Sequence, residues 1–359
     1  MAEEKEIFDE SNTETEEYSC PNCDASLEFH PQNQTLCCKY CGFEMPVDGK
    51  ASDEEFDFLK HVEEDNTWNK EAKVVHCDNC GANTVVDNNE MSFTCPFCGS
   101  NSVVESKEIT GIKPHRVVPF KISNELSKEN YSKWLKKKLY APRKVKKEIP
   151  SLKIRGVYLP VWTFDTNTFS LYKGRLGKRY TVTVGSGDNK RTVTKIRYFY
   201  IRGNEKLNFD DLIVNAGSKI SQDEISAIAP FNTNDSFLYE NSYLVGFSAE
   251  HYTIKLNTGW ENSKIIIKKQ IERKILSNYY YDVVSYLNVN TTYNDIKYKY
   301  VLIPVWIGTY MYNNKQYRFI ANGETGKSSG KYPISAIKVV FTVLIALILL
   351  ILILVLFNS

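Results

Sequence analysis

Residues 339–357 read Val-Val-Phe-Thr-Val-Leu-Ile-Ala-Leu-Ile-Leu-Leu-Ile-Leu-Ile-Leu-Val-Leu-Phe, with no charge, and only Asn358 and Ser359 follow. Nineteen residues at about 1.5 Å each make a helix of about 28 Å, enough to cross bilayer hydrocarbon. Seventeen of the nineteen are Leu, Ile, Val or Phe, each favouring insertion by about 0.3–0.6 kcal/mol near the helix centre. A buried core helix seldom runs this long without a polar face, and a secretory signal would lie at the other end of the chain. The expectation is a tail anchor, single-pass in the cell membrane, carrying a large soluble head. Lys327, Lys331 and Lys338 precede the span and no basic residue follows it. Retention of Lys and Arg on the cytoplasmic side predicts a cytosolic head.

The nine cysteines agree with a reducing compartment, because no export signal is present and most fall into C-x-x-C pairs. Cys20-Pro-Asn-Cys23 is followed by Cys38-Lys-Tyr-Cys41-Gly42, and Cys77-Asp-Asn-Cys80-Gly81 by Cys95-Pro-Phe-Cys98-Gly99. Fourteen residues separate the pairs in both clusters. Zinc takes four ligands tetrahedrally, and each knuckle offers two thiolates on one turn. The intervening stretch must run out and back. Leu27 to Phe29 and Thr35 to Cys37 read as strands around Pro31-Gln32-Asn33-Gln34. Thr84 to Val86 and Ser92 to Thr94 read as a pair around Asp87-Asn88-Asn89. The pattern is a zinc ribbon, twice, with two structural Zn2+ ions held by Cys20, Cys23, Cys38, Cys41 and by Cys77, Cys80, Cys95, Cys98. A redox pair would not need a second pair at a matched interval. Choosing Cys38 keeps the knuckle spacing and equal gaps, which leaves Cys37 as a strand residue. Asp24 stands where the other knuckles place Gly, a position that favours positive φ. Four thiolates leave no open position for catalysis.

The first seventeen residues hold eight acids against one Lys, the composition of a solvated tail. Between the ribbons, Asp53 to Glu64 reads as a short helix with Phe56, Leu59 and Trp68 as packing residues. Asn124 to Leu139 reads as a helix capped by Ser123 or Asn124, with Leu126, Tyr131, Trp134, Leu135 and Leu139 as its apolar contacts. Around it lie Lys133, Lys136, Lys137, Lys138, Arg143, Lys144, Lys146 and Lys147. Three readings stand for this basic stretch: a solvated face, anionic headgroups at about 1 kcal/mol per residue, or nucleic acid. The net charge of +2 sets no global field toward either partner.

Val157-Tyr-Leu-Pro-Val-Trp162 recurs as Val301-Leu-Ile-Pro-Val-Trp306, which points to an internal duplication. The second copy continues into a hairpin, Thr309-Tyr-Met-Tyr, a turn at Asn313-Asn314, and Gln316 to Ile320. Proline within each apolar run predicts an edge strand or a bulge, and the tryptophans read as core anchors. Asp211 to Ile228 and Lys264 to Leu287 read as helices. The fold class is α+β: an acidic tail (1–17), a first ribbon (18–48), a linker (49–73), a second ribbon (74–105), a body (106–335) and a transmembrane helix (337–357).

Catalytic patterns are weak. Ala321-Asn-Gly-Glu-Thr-Gly326-Lys327-Ser328 satisfies a relaxed phosphate-loop pattern, but Ser329-Gly330-Lys331-Tyr332-Pro333 opposes the helix that such a loop must open. His30, His61, His76, His115 and His251 form no metal pair, and Ser248 lacks the second Gly of a nucleophile elbow. Glu250-His251 has the chemistry of an acid/base pair, but sequence neighbours often point apart, and an ordinary structural role is the expectation. No catalytic residues or organic cofactor are expected.

The paired ribbons, Val118-Pro-Phe-Lys121, Trp134-Leu-Lys-Lys-Lys138, Ala141-Pro-Arg-Lys144, both Pro-Val-Trp segments and Asn322-Gly-Glu-Thr-Gly326 together resemble a family of largely Gram-positive bacterial membrane proteins with transcription-factor-IIB-type zinc ribbons. Members are often labelled as related to the primosomal helicase, and this chain shows no helicase motor. The resemblance implies a link to phage-shock-type membrane-stress systems. The leading reading is thus a non-enzymatic membrane adaptor whose partner is a homologous membrane protein or a stress-response scaffold. The competing reading is a nucleic-acid-binding ribbon protein tethered at the membrane, with Tyr40, Phe93 and Phe97 able to stack on bases or to pack under the knuckles. An enzyme comes third.

Overall fold

The computed structural model describes residues 18–47, 49–52, 54–60, 72–87, 92–98, 100–103, 107–108, 111–148, 152 and 154–358. The acidic tail, His61, Trp68 and Gly99 lie outside the described residues. In chain order the ribbons and linker contain β1 (Glu28–His30), β2 (Thr35–Cys37), β3 (Glu44–Pro46), β4 (Phe56–Asp57), β5 (Ala72–His76), β6 (Asn83–Asp87), β7 (Ser92–Thr94), β8 (Asn101–Val103) and β9 (Lys107–Glu108). The body follows with β10 (Arg116–Val117), α1 (Asn124–Lys136), α2 (Arg143–Glu148), β11 (Ile154–Val184) and β12 (Arg191–Asn215). Then come α3 (Gln222–Ile228), β13 (Phe237–Leu238), β14 (Ser248–Glu250) and α4 (Leu256–Ser277). The chain closes with β15 (Val283–Tyr312), β16 (Lys315–Asn322), β17 (Ser328–Gly330) and α5 (Ala336–Asn358). The class is α+β, and twelve of the described strands form one sheet.

The duplicated segments pair with each other at its centre. β11 and β15 run antiparallel with Val161 opposite Val301, Leu159 opposite Ile303 and Val157 opposite Val305. These side chains are almost fully buried. A pseudo-twofold axis through the Leu159–Ile303 pair relates the halves. The parallel partner of β15 is β10, that of β11 is β14, and each short strand leads into a helix, α1 or α4. The two tryptophans obey the same symmetry. Trp162 donates its indole N–H to the Ile254 carbonyl at 2.8 Å, and Trp306 to that of Ile122 at 2.9 Å, each just before a helix. Both are core anchors, as their sequence context predicts.

The prolines correct an expectation. Pro160 and Pro304 lie in the middle of the sheet, not on edge strands. β11 has β14 beside Val157 and Tyr158 but β12 from Val161 onward, and Pro160 falls between them. Pro304 likewise falls between β10, which ends at Leu302, and β16, which begins opposite Val305. A missing N–H costs nothing where a strand exchanges one neighbour for another. The carbonyls are still used, accepting from Ala216 and Gly323 at 3.1 and 2.8 Å.

Other boundaries also move. The helix expected from Asp53 to Glu64 falls partly outside the described residues; where the chain is described, β4 pairs with β15 and a 3-10 turn follows over Phe58–Lys60, with Phe56 and Phe58 packed on Tyr298. Leu59 is exposed. Asp211 to Asn215 stays in β12, and the helix starts only at Gln222, behind a Ser221–Glu224 capping box. The helix expected at Lys264 begins at Leu256 and stops at Ser277, and Val283 to Leu287 belongs to β15. α1 begins where expected, with Ser123 Oγ accepting from Leu126 N, and buries Tyr131 and Leu135. The 309–320 hairpin turns at Asn313 and Asn314, both at positive φ.

Beyond the centre, β11, β12 and β15 continue together as a three-stranded arm, paired from Thr166–Phe209 and Asn167–Asn294 outward. α4 covers one face of it with Trp260, Ile267, Ile271 and Ile275. Gly259 lets the helix approach, since a Cβ there would stand 2.6 Å from Trp162 Cδ1. Helix propensity favours Ala over Gly by about 1 kcal/mol, whereas overpacking costs about 1–3 kcal/mol. We therefore expect Gly259→Ala to lower stability in denaturant melts. A more stable variant would contradict this contact.

Candidate zinc centres

All four knuckles are built alike. The first cysteine N–H of each closes a turn onto the carbonyl five residues on: Cys20 to Ala25, Cys38 to Phe43, Cys77 to Ala82 and Cys95 to Ser100, at 2.8–2.9 Å. The residue after the second cysteine takes positive φ in Asp24 (61°), Gly42 (74°) and Gly81 (67°). Asp24 adopts the geometry despite its side chain. In the first ribbon β1 pairs with β2 and β2 with β3, close to expectation. The second differs. β6 pairs with β5 and β14, and β7 with β8, so each knuckle sits at the end of its own hairpin and the expected β6–β7 pairing is replaced.

The sulfurs converge as two sets, Cys20, Cys23, Cys38, Cys41 and Cys77, Cys80, Cys95, Cys98, with ligand atoms all within 4.8 Å of one another. A Zn–S bond of about 2.3 Å implies tetrahedral edges of about 3.8 Å. The closest S···S distances are 3.4 and 3.5 Å in the first set and 3.5 and 3.7 Å in the second, so both fit structural zinc. Backbone N–H groups of Cys41 and Tyr40 hold the Cys38 thiol down to about 6, a thiolate ready for metal at neutral pH. Cys37 faces Glu28 and Glu44 across the strands, and burial together with those carboxylates pushes its thiol up.

Both sites are set into the body. Phe29 of the first ribbon packs on Tyr243 and Phe247, and Gln34 donates to the Phe120 carbonyl at 2.7 Å. At the second site Arg155 donates to the Cys95 carbonyl at 2.8 Å, and Lys219 donates to that of Cys80. Ser100 Oγ lies 3.2 Å from Cys77 Sγ and 3.1 Å from Cys98 Sγ. Sequence reasoning missed these three supports. A hydroxyl two residues past the last ligand was the one local signal; Arg155 and Lys219 reach the knuckles only through the tertiary fold.

Glu250 organises the loop that carries Lys219. It is 1% exposed and accepts the Ser218 N–H at 2.9 Å. Burial pushes its carboxyl up to about 7, against the opposing pull of the Ser218 and Lys219 backbone N–H groups. The phosphate-loop lookalike is a tight connection between antiparallel β16 and β17. Asn322 Oδ1 accepts from Glu324 and Thr325 N–H, and Lys327 Nζ donates to the Ala229 carbonyl at 2.6 Å. Glu55, Asp165 and Asp210 also cluster, with Lys297 and Lys299 paired to Glu55.

α5 rises from the corner between α1 and α2. Ser335 N–H donates to the Tyr140 carbonyl at 2.9 Å, and Lys338 Nζ to those of Leu139 and Ala141 at 3.0 and 2.6 Å. Ala336–Phe357 is long and apolar enough to cross a membrane by length and composition, and none of its span is buried in the body.

The fold and sites define a class: an α+β protein with two four-cysteine zinc ribbons and an apolar C-terminal helix. Residues 20–46 match the family described as PriA DNA helicase Cys-rich region (CRR) domain. Over 327 residues the chain is 27% identical to "Uncharacterized protein YdjG" of Bacillus subtilis (strain 168), covering 90% of this chain and 91% of that protein. No solved structure matches significantly.

Two outcomes follow from the site. Ser100→Ala is expected to weaken zinc binding at the second site by about 10–100-fold while the first site is unchanged, and Cys37→Ser to leave two zinc ions per chain. Competition with a chromophoric chelator measures both; loss of one zinc in the Cys37 variant would contradict the assignment. For Glu250, a folded pKa of about 7 lies above the ordinary value of about 4.3, so its protonated form is favoured by folding. Its stabilising contribution is complete below about pH 4 and is lost as pH rises through 7. Glu250→Gln is expected to retain more stability than wild type at pH 8, on the order of 3 kcal/mol of differential effect, and to match it only below about pH 4. Asp165, also raised to about 7 by burial and the neighbouring Glu55, is common to both proteins and cancels.

Proposed function

We propose that this protein is a non-enzymatic adaptor, held at the cell membrane by α5 with its head in the cytoplasm. One observation carries the reading: both ribbons and the root of α5 are joined to one body, at Arg155–Cys95, Gln34–Phe120 and Lys338–Ala141. Four thiolates saturate zinc, so each metal gives shape to a hairpin and leaves no position for a substrate. The first ribbon turns Tyr40, 84% exposed, and Met45 outward, side chains of the kind that anchor protein partners. Phe97 is buried beneath the second knuckle and unavailable for base stacking, which disfavours nucleic acid at that ribbon.

The partner is another protein, a homologous membrane protein or a membrane-stress scaffold, as the family resemblance suggests. Lys331 and Lys338 beside α5 favour the cytoplasmic orientation. The basic stretch surrounds the same root: Lys146 Nζ donates to the Lys136 carbonyl, its charge disfavoured by burial and by nearby Lys338. Lys137, Arg143, Lys144 and Lys147 then contact anionic headgroups, at about 1 kcal/mol each close to the surface.

The test is capture of the full chain from detergent-solubilised membranes, with and without nuclease. Recovery of the same protein partner in both, and its loss in Tyr40→Ala, is the expected result. A partner that disappears with nuclease would contradict the adaptor. Protease added outside intact cells is expected to leave the head uncut.

A further inference from the structure

The arm has two faces of opposite character. α4 buries one. The other is uncovered and follows the strand alternation: Phe169, Leu171, Lys173 and Arg175 on β11, Tyr198 to Asn208 at even positions on β12, and Tyr286 to Asn294 at even positions on β15. Along these alternating positions there are four cations, Lys173, Arg175, Arg202 and Lys206, and no carboxylate. The aromatics stand among the cations. Arg175 lies over the Tyr198 ring at 4.2 Å, Lys206 over Phe169 at 5.8 Å, and Tyr200, directly opposite Arg175, is 75% exposed. Asn204, Asn288 and Asn290 fill much of the rest with short amide donors and acceptors.

We propose that this outer face of the arm is a platform for single-stranded nucleic acid. The proposal rests on the fold alone and not on the adaptor reading. A flat sheet face with exposed rings stacks unpaired bases, flanking Lys and Arg take the phosphates, and amides read base edges. A duplex offers no unstacked base to Tyr200. An acidic protein would need only the cations, leaving the rings and amides without a role. A lipid surface is the poorer occupant on geometry: β11 starts beside α1, where Asn124 donates to the Ile154 carbonyl, and Arg175 lies about 20 residues further on. At about 3.3 Å per residue that is about 65 Å of strand away from the Asn124–Ile154 contact at the start of α1, the helix whose far end seats α5.

The experiment uses the full chain in detergent, with a fluorescent twenty-nucleotide poly-dT or poly-U strand as probe. The same sequence as a duplex, phosphatidylglycerol vesicles and poly-glutamate serve as comparisons. Single strands are expected to bind best. Tyr200→Ala with Tyr286→Ala is expected to weaken single-strand binding about tenfold or more with the salt dependence intact. Arg202→Gln is expected to reduce the salt slope by about 0.7, the value of one phosphate contact on a single strand. Unchanged zinc content and melting temperature establish that the variants fold. Absence of binding at low salt would overturn the proposal. So would single-strand binding indifferent to the tyrosine pair, or vesicle, duplex or poly-glutamate binding that equals it and falls with the same substitutions.

Discussion

The antiparallel pairing of Val157–Trp162 with Val301–Trp306 is the contact on which the rest of the molecule depends. It buries an apolar ladder on both faces, so it anchors the twelve-stranded sheet from inside. Because each segment carries proline at the place where its second neighbour changes, the ladder serves as a junction and not as a uniform sheet. On one side β14 brings in β6 and with it the second ribbon; on the other, β10 and β16 bring in α1 and the loops that seat α5. Each tryptophan then clamps the carbonyl that precedes a helix of the other half. The symmetry of sequence has become a symmetry of support.

From that junction three features lead away, and each has its own chemistry. The ribbons are stiffened by metal and joined to the body, the first by Phe29 packing and the Gln34–Phe120 hydrogen bond, the second by cations on its backbone carbonyls. The α1–α2 corner gathers positive charge around the base of α5. The arm carries an aromatic and basic face along strands far longer than the usual strand of about 5–6 residues. A binding face on a strand held by its neighbours keeps its spacing, whereas the same residues on a loop would lose affinity to ordering.

What the sequence disclosed followed from how local the determinant was. The cysteine spacing determined both four-sulfur sets, the apolar run determined α5, and the repeated Pro-Val-Trp segments announced the duplication. The arm was not legible, because β11 pairs with β15 across more than a hundred residues of chain, from Asn167 to Asn294. Helix ends failed where tertiary contact overrode local pattern: Gly259 is a poor helix former placed there for Trp162, and Asp211 holds a strand bend by its positive φ of 47°. Phe56 and Leu59 looked like one face of a helix, yet Phe56 packs on a strand more than two hundred residues away and Leu59 is exposed. At the zinc sites the ligands were legible and their supports were not, apart from Ser100.

The central claim is that ribbons and body form one unit. Native-state hydrogen exchange on the full chain in detergent tests it most directly. Amides of β6 and of the Cys77–Cys80 and Cys95–Cys98 knuckles are expected to exchange slowly alongside Val157–Trp162 and Val301–Trp306, and to lose protection on chelation of zinc. Fast exchange in both ribbons of the zinc-loaded protein, with the central strands fully protected, would show ribbons hanging from the body as independent appendages and would contradict the account.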